Sequence, residues 1–214
     1  MELRTAVRIL SHRGYWKTPA EKNTPAAFER SFRLGFGTET DLRDELGKLV
    51  VSHDPPTGKA LPAKELFLCH TQLGPDLPLA LNIKADGLQR LVRELLEMFA
   101  VQDYFLFDMA VPDALSYRRL GMKVFTRHSD VEKVPAFYAE AGGVWMDSFH
   151  GDWFTAADVR AHLDAGKRVC VVSPELHGRE YLPLWRRLSG LAAPAGQFLL
   201  CTDHPEEAEG FFHG

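Results

Sequence analysis

The sequence predicts an α/β protein, a closed (β/α)8 barrel of the TIM type. Three observations point there. Short apolar, β-rich runs alternate with amphipathic stretches of helical period. The alternation repeats eight times. Nearly every apolar run ends on an ionisable residue. Strict alternation predicts a parallel sheet with helices outside it. Eight repeats favour closure over an open doubly wound sheet. No Gly-rich dinucleotide fingerprint follows the first run. A chain of 214 residues holds one well-packed core and is short for two, so 1–214 is expected to be a single domain.

The first strand is predicted over 6–10, ending at Ser11-His12-Arg13-Gly14. A helix over 25–34 follows, with Asn23 or Thr24 to cap it and Pro25 in its first turn. The second strand covers 37–42. A turn at Glu45-Leu46-Gly47-Lys48 returns the chain through 49–53, which reads as a small hairpin arm. A short helix is expected near 63–69. The third strand covers 79–84 and its helix 88–99. The fourth covers 104–107, ends at Asp108, and leads to a helix over 112–119. The fifth covers 123–125, ends at Thr126-Arg127-His128, and leads to a helix over 134–141. The sixth covers 143–146, ends at Asp147, and leads to a helix over 156–164. The seventh covers 168–172, ends at Ser173-Pro174-Glu175, and leads to a helix over 181–188. The eighth covers 198–201, ends at Thr202-Asp203, and leads to a helix over 206–212.

Bulk properties exclude some classes. Lys and Arg number 25 against 29 Asp and Glu, a net charge of −4. That balance disfavours a nucleic-acid partner, so an anionic substrate needs local positive charge or a bound cation. The three cysteines, Cys69, Cys170 and Cys201, are widely spaced and suggest neither a disulfide framework nor a zinc motif. Cys170 and Cys201 sit in apolar runs and read as buried thiols, which fits a reducing compartment. The Met1–Arg4 segment starts no signal peptide and no later stretch could span a bilayer, so a cytoplasmic location is expected.

In such barrels the active site lies at the C-terminal ends of the strands. Those ends gather His12, Arg13, Glu39, Asp41, Asn82, Lys84, Asp108, Arg127, His128, Asp147, Ser173, Glu175 and Asp203. Glu39 and Asp41 are two apart on a strand and share a face. Two inward carboxylates repel and resist burial, and a divalent cation such as Mg2+ or Ca2+ resolves that conflict. The alternative is an edge pair facing water. Asn82 and Lys84 also share a face. Lys84 either serves a phosphate oxygen or pairs with a neighbouring carboxylate. His12 and His53 both close strand runs and could share acid and base roles. Trp145, Asp147, Phe149, His150 and Trp153 crowd one loop. They suit polyol binding or simply pack beneath it. Glu175 and His177 carry the same ambiguity.

Together, His12-Arg13-Gly14, Glu21-Lys22-Asn23-Thr24, Ala27-Phe28, Glu39-Thr40-Asp41 and residues 47–54 resemble the N-terminal signature of the glycerophosphodiester phosphodiesterase family. Thr202-Asp203-His204-Pro205 resembles that family's closing motif. The resemblance implies a TIM barrel and metal-dependent hydrolysis of a small phosphodiester. It implies His12 and His53 as catalytic acid and base, Arg13 and Lys84 as phosphate-binding, and Glu39 and Asp41 as metal ligands. It further implies that a neighbouring hydroxyl attacks phosphorus, giving a cyclic phosphate that water opens. The chain departs from the family in three places. Asn82 stands where an acidic metal ligand is usual, and Asp86, Asp108, Asp147 or Glu175 would have to compensate. The segment after His53 is too short for the usual insertion. Residues 171–177 lack the usual substrate-lining motif. The expected substrate-lining residues are Asp108, Trp145, Asp147, Glu175 and His177, and the alcohol is expected to differ from the family's usual one. Two rival readings are a phospholipase-D-like lyase releasing cyclic phosphate and a non-catalytic phosphate- or glycan-binding barrel.

Overall fold

The structure, a computed structural model, describes residues 7–214. Ala6, at the start of the first expected strand, and the Met1–Arg4 segment lie outside the described residues. Contacts divide the described residues into two compact units: Ser11–Val124, and Val7–Leu10 together with Phe125–Gly214. Strand β1 (Val7–His12) contributes residues to both.

In the unit Ser11–Val124, helix α1 (Pro25–Arg33) follows a 3-10 turn at Pro19–Glu21. Then come β2 (Gly37–Glu45), β3 (Lys48–Val51), β4 (Leu61–Pro62) and α2 (Ala63–Leu73). β5 (Leu79–Ile83), α3 (Gln89–Met98), β6 (Tyr104–Phe107) and α4 (Val111–Arg119) complete it. β2 pairs in parallel with β5, and β5 with β6. Leu106 makes a parallel bridge to Val124. Every residue of β5 is buried, and its near-continuous apolar run is the pattern of a parallel strand covered on both faces. Phe28 and Phe32 of α1 and Val92 and Leu96 of α3 are buried at four-residue spacing, so each helix commits one stripe to the core.

The hairpin arm forms where expected. Leu46 and Gly47 both take left-handed φ, 51° and 77°, which a two-residue loop needs to match strand twist. The arm is antiparallel in register Leu42↔Val51 to Glu45↔Lys48, and β4 adds a short third strand.

The other unit contains β7 (Phe125–Ser129), β8 (Gly143–Asp147), α5 (Ala156–Asp164) and β9 (Arg168–Val172). It ends with α6 (Leu182–Leu188), β10 (Phe198–Thr202) and α7 (Pro205–His213). Its strands β7, β8, β9 and β10 pair in parallel in that order. A Thr155–Asp158 capping box opens α5. Buried Trp185 donates its indole N–H to Ser173 Oγ at 2.8 Å. Cys170 and Cys201 are buried thiols, as expected.

Two expectations are corrected here. No helix forms over 134–141; the described residues hold turns, with Phe137 at φ 44°. Ser129 Oγ accepts the N–H groups of Val131 and Glu132, so the chain turns as it leaves β7. Pro135 then disfavours helix just upstream, and Gly142-Gly143 stops it downstream. The few residues left are too short for a stable nucleus. Thr126, Arg127 and His128 also sit inside β7 rather than beyond it. Among the described residues, no helix is long and apolar enough to cross a membrane.

Gly14 fixes how β1 leaves its strand. Its φ is +78°, and a Cβ there would lie 2.8 Å from Ala27 Cβ and 2.9 Å from the Ala27 carbonyl carbon. Its N–H donates to Thr38 Oγ1 at 3.0 Å. Gly14→Ala should therefore lower unfolding stability by roughly 2 kcal/mol or more; a denaturant midpoint unchanged from wild type would show that the close approach is not needed.

Candidate active site

Strand β2 sets the centre. Glu39 and Asp41 point to one face and are almost wholly buried, at 2% and 0% exposed. In parallel register, Asp41 faces Asn82 across β5, and Glu39 faces Ala80. The small alanine leaves Glu39 room, while Asn82 brings an amide beside both carboxyls. That amide hydrogen-bonds Glu39.

Cations approach from two elements. Arg13 has φ 58°. Its N–H reaches the Glu39 carbonyl at 2.9 Å and Glu39 Oε2 at 3.2 Å. Its side-chain Nε lies 3.1 Å from Asp41 Oδ2. Lys84 follows β5 and sits 3.6 Å from Asp41 Oδ1 and 3.5 Å from Asp108 Oδ2. Of the two roles expected for Lys84, the structure shows the pairing with carboxylates. Asp108 itself takes a left-handed φ of 74° at the end of β6, a conformation Asp tolerates better than most residues.

Burial pushes the Glu39 carboxyl up to about 8, and the neighbouring Asp41 charge adds to the rise. Arg13, Lys84 and the Asn82 hydrogen bond oppose it. At neutral pH the two carboxyls therefore resist sharing two full charges. Asp41 Oδ1 and Asn82 Oδ1 are buried and accept no hydrogen bond. Together with Glu39 they form an oxygen-only donor set, the kind that Mg2+ and Ca2+ prefer. Among the described residues, no group of three or more His, Cys, Asp or Glu side chains is placed to hold a metal. The third oxygen here comes from an amide, so the set fits a hard cation with one negative charge fewer than a three-carboxylate site.

The histidines lie at the edges of this cluster. His12 Nε2 is 3.9 Å from Glu39 Oε2, too long for a hydrogen bond. His53 is half-exposed beyond β3, with Nδ1 2.9 Å from Asp54 Oδ1. Ser52 N–H donates to the Asp41 carbonyl at 3.0 Å, which ties the His53 segment to the carboxylate strand. Arg13 and His53 line one cavity of about 650 Å3, a volume suited to a small ligand.

Asn23 is a site residue to which the sequence assigned no role beyond a possible helix cap. Its Nδ2 donates to Asp41 Oδ2 at 2.9 Å, and its Oδ1 accepts from Thr40 Oγ1 at 2.9 Å. Its φ of 60° turns it inward. The available signal was its place in the Glu21-Lys22-Asn23-Thr24 motif. Beneath it, Ser11, Ser31 and Thr38 form a buried hydroxyl cluster, with Ser11 Oγ to Ser31 Oγ at 2.6 Å.

The remaining expected lining residues belong to the other unit and form their own contacts there. Asp147 accepts from His177 Nε2 at 2.7 Å and from Ser148 N–H at 2.8 Å. Trp153 Nε1 donates to the Asp147 carbonyl at 2.6 Å. Glu175 accepts from the Thr202 hydroxyl and from Asp203 N–H. Trp145 is buried within β8, so its ring packs in the core of that unit. His150 pairs with Asp130 at 3.0 Å.

No family model matches the sequence, and no curated protein is similar to it at a significant level. Solved structures are similar in fold. A glycerophosphodiester phosphodiesterase from Agrobacterium tumefaciens matches at 17% identity and TM-score 0.69, covering 95% of this chain and 99% of that one. An Oleispira antarctica phosphodiesterase, solved with the product sn-glycerol-3-phosphate, matches at 17% identity and TM-score 0.70, covering 97% of both chains. The chain has the TIM-barrel fold. A phosphoribosyl anthranilate isomerase from Thermus thermophilus also matches, at 15% identity and TM-score 0.52 over 96% of both chains. The fold therefore carries more than one chemistry, and function must be argued from the site.

The raised Glu39 pKa has a signed effect on stability. Unfolded, this carboxyl titrates near 4.5; folded, near 8. The folded state holds the extra proton between those values, so this contribution is full below pH 4.5 and is lost as pH rises through 8. Glu39→Gln has no such loss. In chelator, its stability relative to wild type should rise between pH 5 and pH 9 by thermal or denaturant unfolding; a constant difference would refute the raised pKa.

Proposed function

We propose that this chain, residues 1–214 acting as one catalytic domain, is a divergent member of the glycerophosphodiester phosphodiesterase family that hydrolyses a small phosphodiester. The observation that carries the proposal is the cluster itself. Arg13, Lys84, Asn23 and Asn82 converge on the buried pair Glu39 and Asp41, with His12 and His53 at its border. The fold likeness to two phosphodiesterases supports the same reading.

Each group has a role. Arg13 and Lys84 bring fixed positive charge to the non-bridging phosphoryl oxygens, where negative charge builds in the transition state. Asp41 holds both cations in position through its ion pairs. One histidine takes a proton from the attacking hydroxyl and the other gives one to the leaving alkoxide. Asp54 on Nδ1 of His53 fixes the imidazole and leaves Nε2 to exchange the proton. Where a vicinal hydroxyl attacks, the product is a cyclic phosphate that water opens with the proton roles reversed. Glu39, Asp41 and Asn82 would hold a divalent cation, which when bound supplies electrophilic stabilisation of the phosphoryl oxygens.

His12→Ala and His53→Ala are each expected to lower turnover of a glycerophosphodiester by about 100-fold or more. Unchanged turnover in both would remove them from the reaction. Product analysis by phosphorus NMR separates a monophosphate, expected for a hydrolase, from a released cyclic phosphate, expected for a lyase.

Asn82→Glu restores a third carboxylate. Calorimetric titration with Mg2+ or Ca2+ should show about tenfold tighter binding than wild type. Equal or weaker binding would argue against Asn82 as a ligand.

A further inference from the structure

The cavity that Arg13 and His53 line does not include the carboxylate pair in its walls. Lys22 and Lys59 line it as well. Three cationic side chains thus share the lining with one carboxylate, Asp54. Arg13 is committed to Asp41, and Asp54 to His53. Lys22 and Lys59 are not committed: no carboxylate among the described residues engages either ammonium. Lys22 Nζ sits 4.4 Å from the centre of the Trp16 ring. An aromatic face orients an ammonium without neutralising it, so the charge stays available.

Both lysines are carried on tethered backbone. Lys22 N–H donates to the Pro19 carbonyl at 3.3 Å, and Asn23 N–H to the Arg13 carbonyl at 2.9 Å. Gly58 N–H, one residue before Lys59, donates to the Glu45 carboxylate of the hairpin. A monoanionic diester seated on Arg13 and Lys84 would leave Lys22 and Lys59 without a partner.

We propose that this cavity is a specificity subsite for a second anionic group on the alcohol of the substrate, a phosphomonoester or a carboxylate, recognised by Lys22 and Lys59. The inference rests on the phosphodiesterase reading for its substrate class. It names the headgroup chemistry that reading leaves open: a diester whose alcohol is itself acidic, in preference to a neutral or cationic one.

Binding and turnover test it separately. Calorimetry compares alkyl monophosphates with alkanediol bisphosphates of graded chain length, which can bridge the two sites. At low ionic strength the best bisphosphate should bind about tenfold tighter than the monophosphate of equal length. Lys22→Ser/Lys59→Ser should abolish that ratio, and Lys22→Arg/Lys59→Arg should keep it. Among diesters, kcat/KM should be highest for a phosphomonoester- or carboxylate-bearing alcohol and lowest for a choline-type alcohol, and the serine pair should flatten the series. Equal affinity for the two probe classes in the wild type, or a preference that survives the serine pair, overturns the subsite. Selective bisphosphate binding without turnover of any diester would instead overturn the catalytic reading and leave the subsite standing.

Discussion

Two carboxyl groups buried on one face of β2 are the constraint around which the Ser11–Val124 unit is arranged. Glu39 and Asp41 cannot both ionise in a dry site without compensation. Compensation arrives from three directions: Arg13 after β1, Lys84 after β5, and Asn23 from the loop before α1. Each requires a particular backbone. Arg13 and Asn23 adopt left-handed φ, and Gly14 permits contact with α1 that no side chain would allow. Such local strain persists only where surrounding contacts enforce it, and it gathers at functional sites. The same crowding raises the Glu39 pKa.

Most of this was legible in the chain before its geometry was known. Period-two spacing put Glu39 with Asp41 and Asn82 with Lys84, and parallel register then set Asp41 against Asn82. The strands were legible because each is a short apolar run bounded by polar residues. The helix after β7 was misread. Apolar residues recur over 134–141, but Pro135 and the Gly142-Gly143 pair leave too little chain between them. Asn23 was read, as an alternative to Thr24, as the cap of α1, and Thr24 takes that position. The inward turn of Asn23 depends on a left-handed φ and on Thr40 and Asp41, partners distant in sequence. The lysines of the cavity were illegible for the same reason: Lys22 and Lys59 meet only through folding of the hairpin arm.

Substitution of a carboxylate by Asn82 changes the electrostatics more than the shape. An amide keeps the oxygen and adds a donor, which is spent on Glu39. In the proposed phosphodiesterase site, an amide rather than a carboxylate at position 82 leaves Arg13 and Lys84 less fully neutralised, so more of their field would reach a phosphoryl group. On that proposal, weaker cation affinity and a stronger electrostatic grip on the substrate anion would both follow from the amide.

The Leu46-Gly47 turn also determines where this chain can change in length. It locks the register of β2 against β3, and that register delivers Ser52 to the Asp41 carbonyl and His53 to the cavity wall. One residue added within the arm would reverse its alternation and send His53 to the opposite face. Beyond Asp54 no such parity applies, because residues 55–60 form an irregular connection before β4. Insertions that remodel the cavity are tolerable there and intolerable a few positions earlier, so the two-residue loop divides the arm into a segment of fixed length and one free to vary.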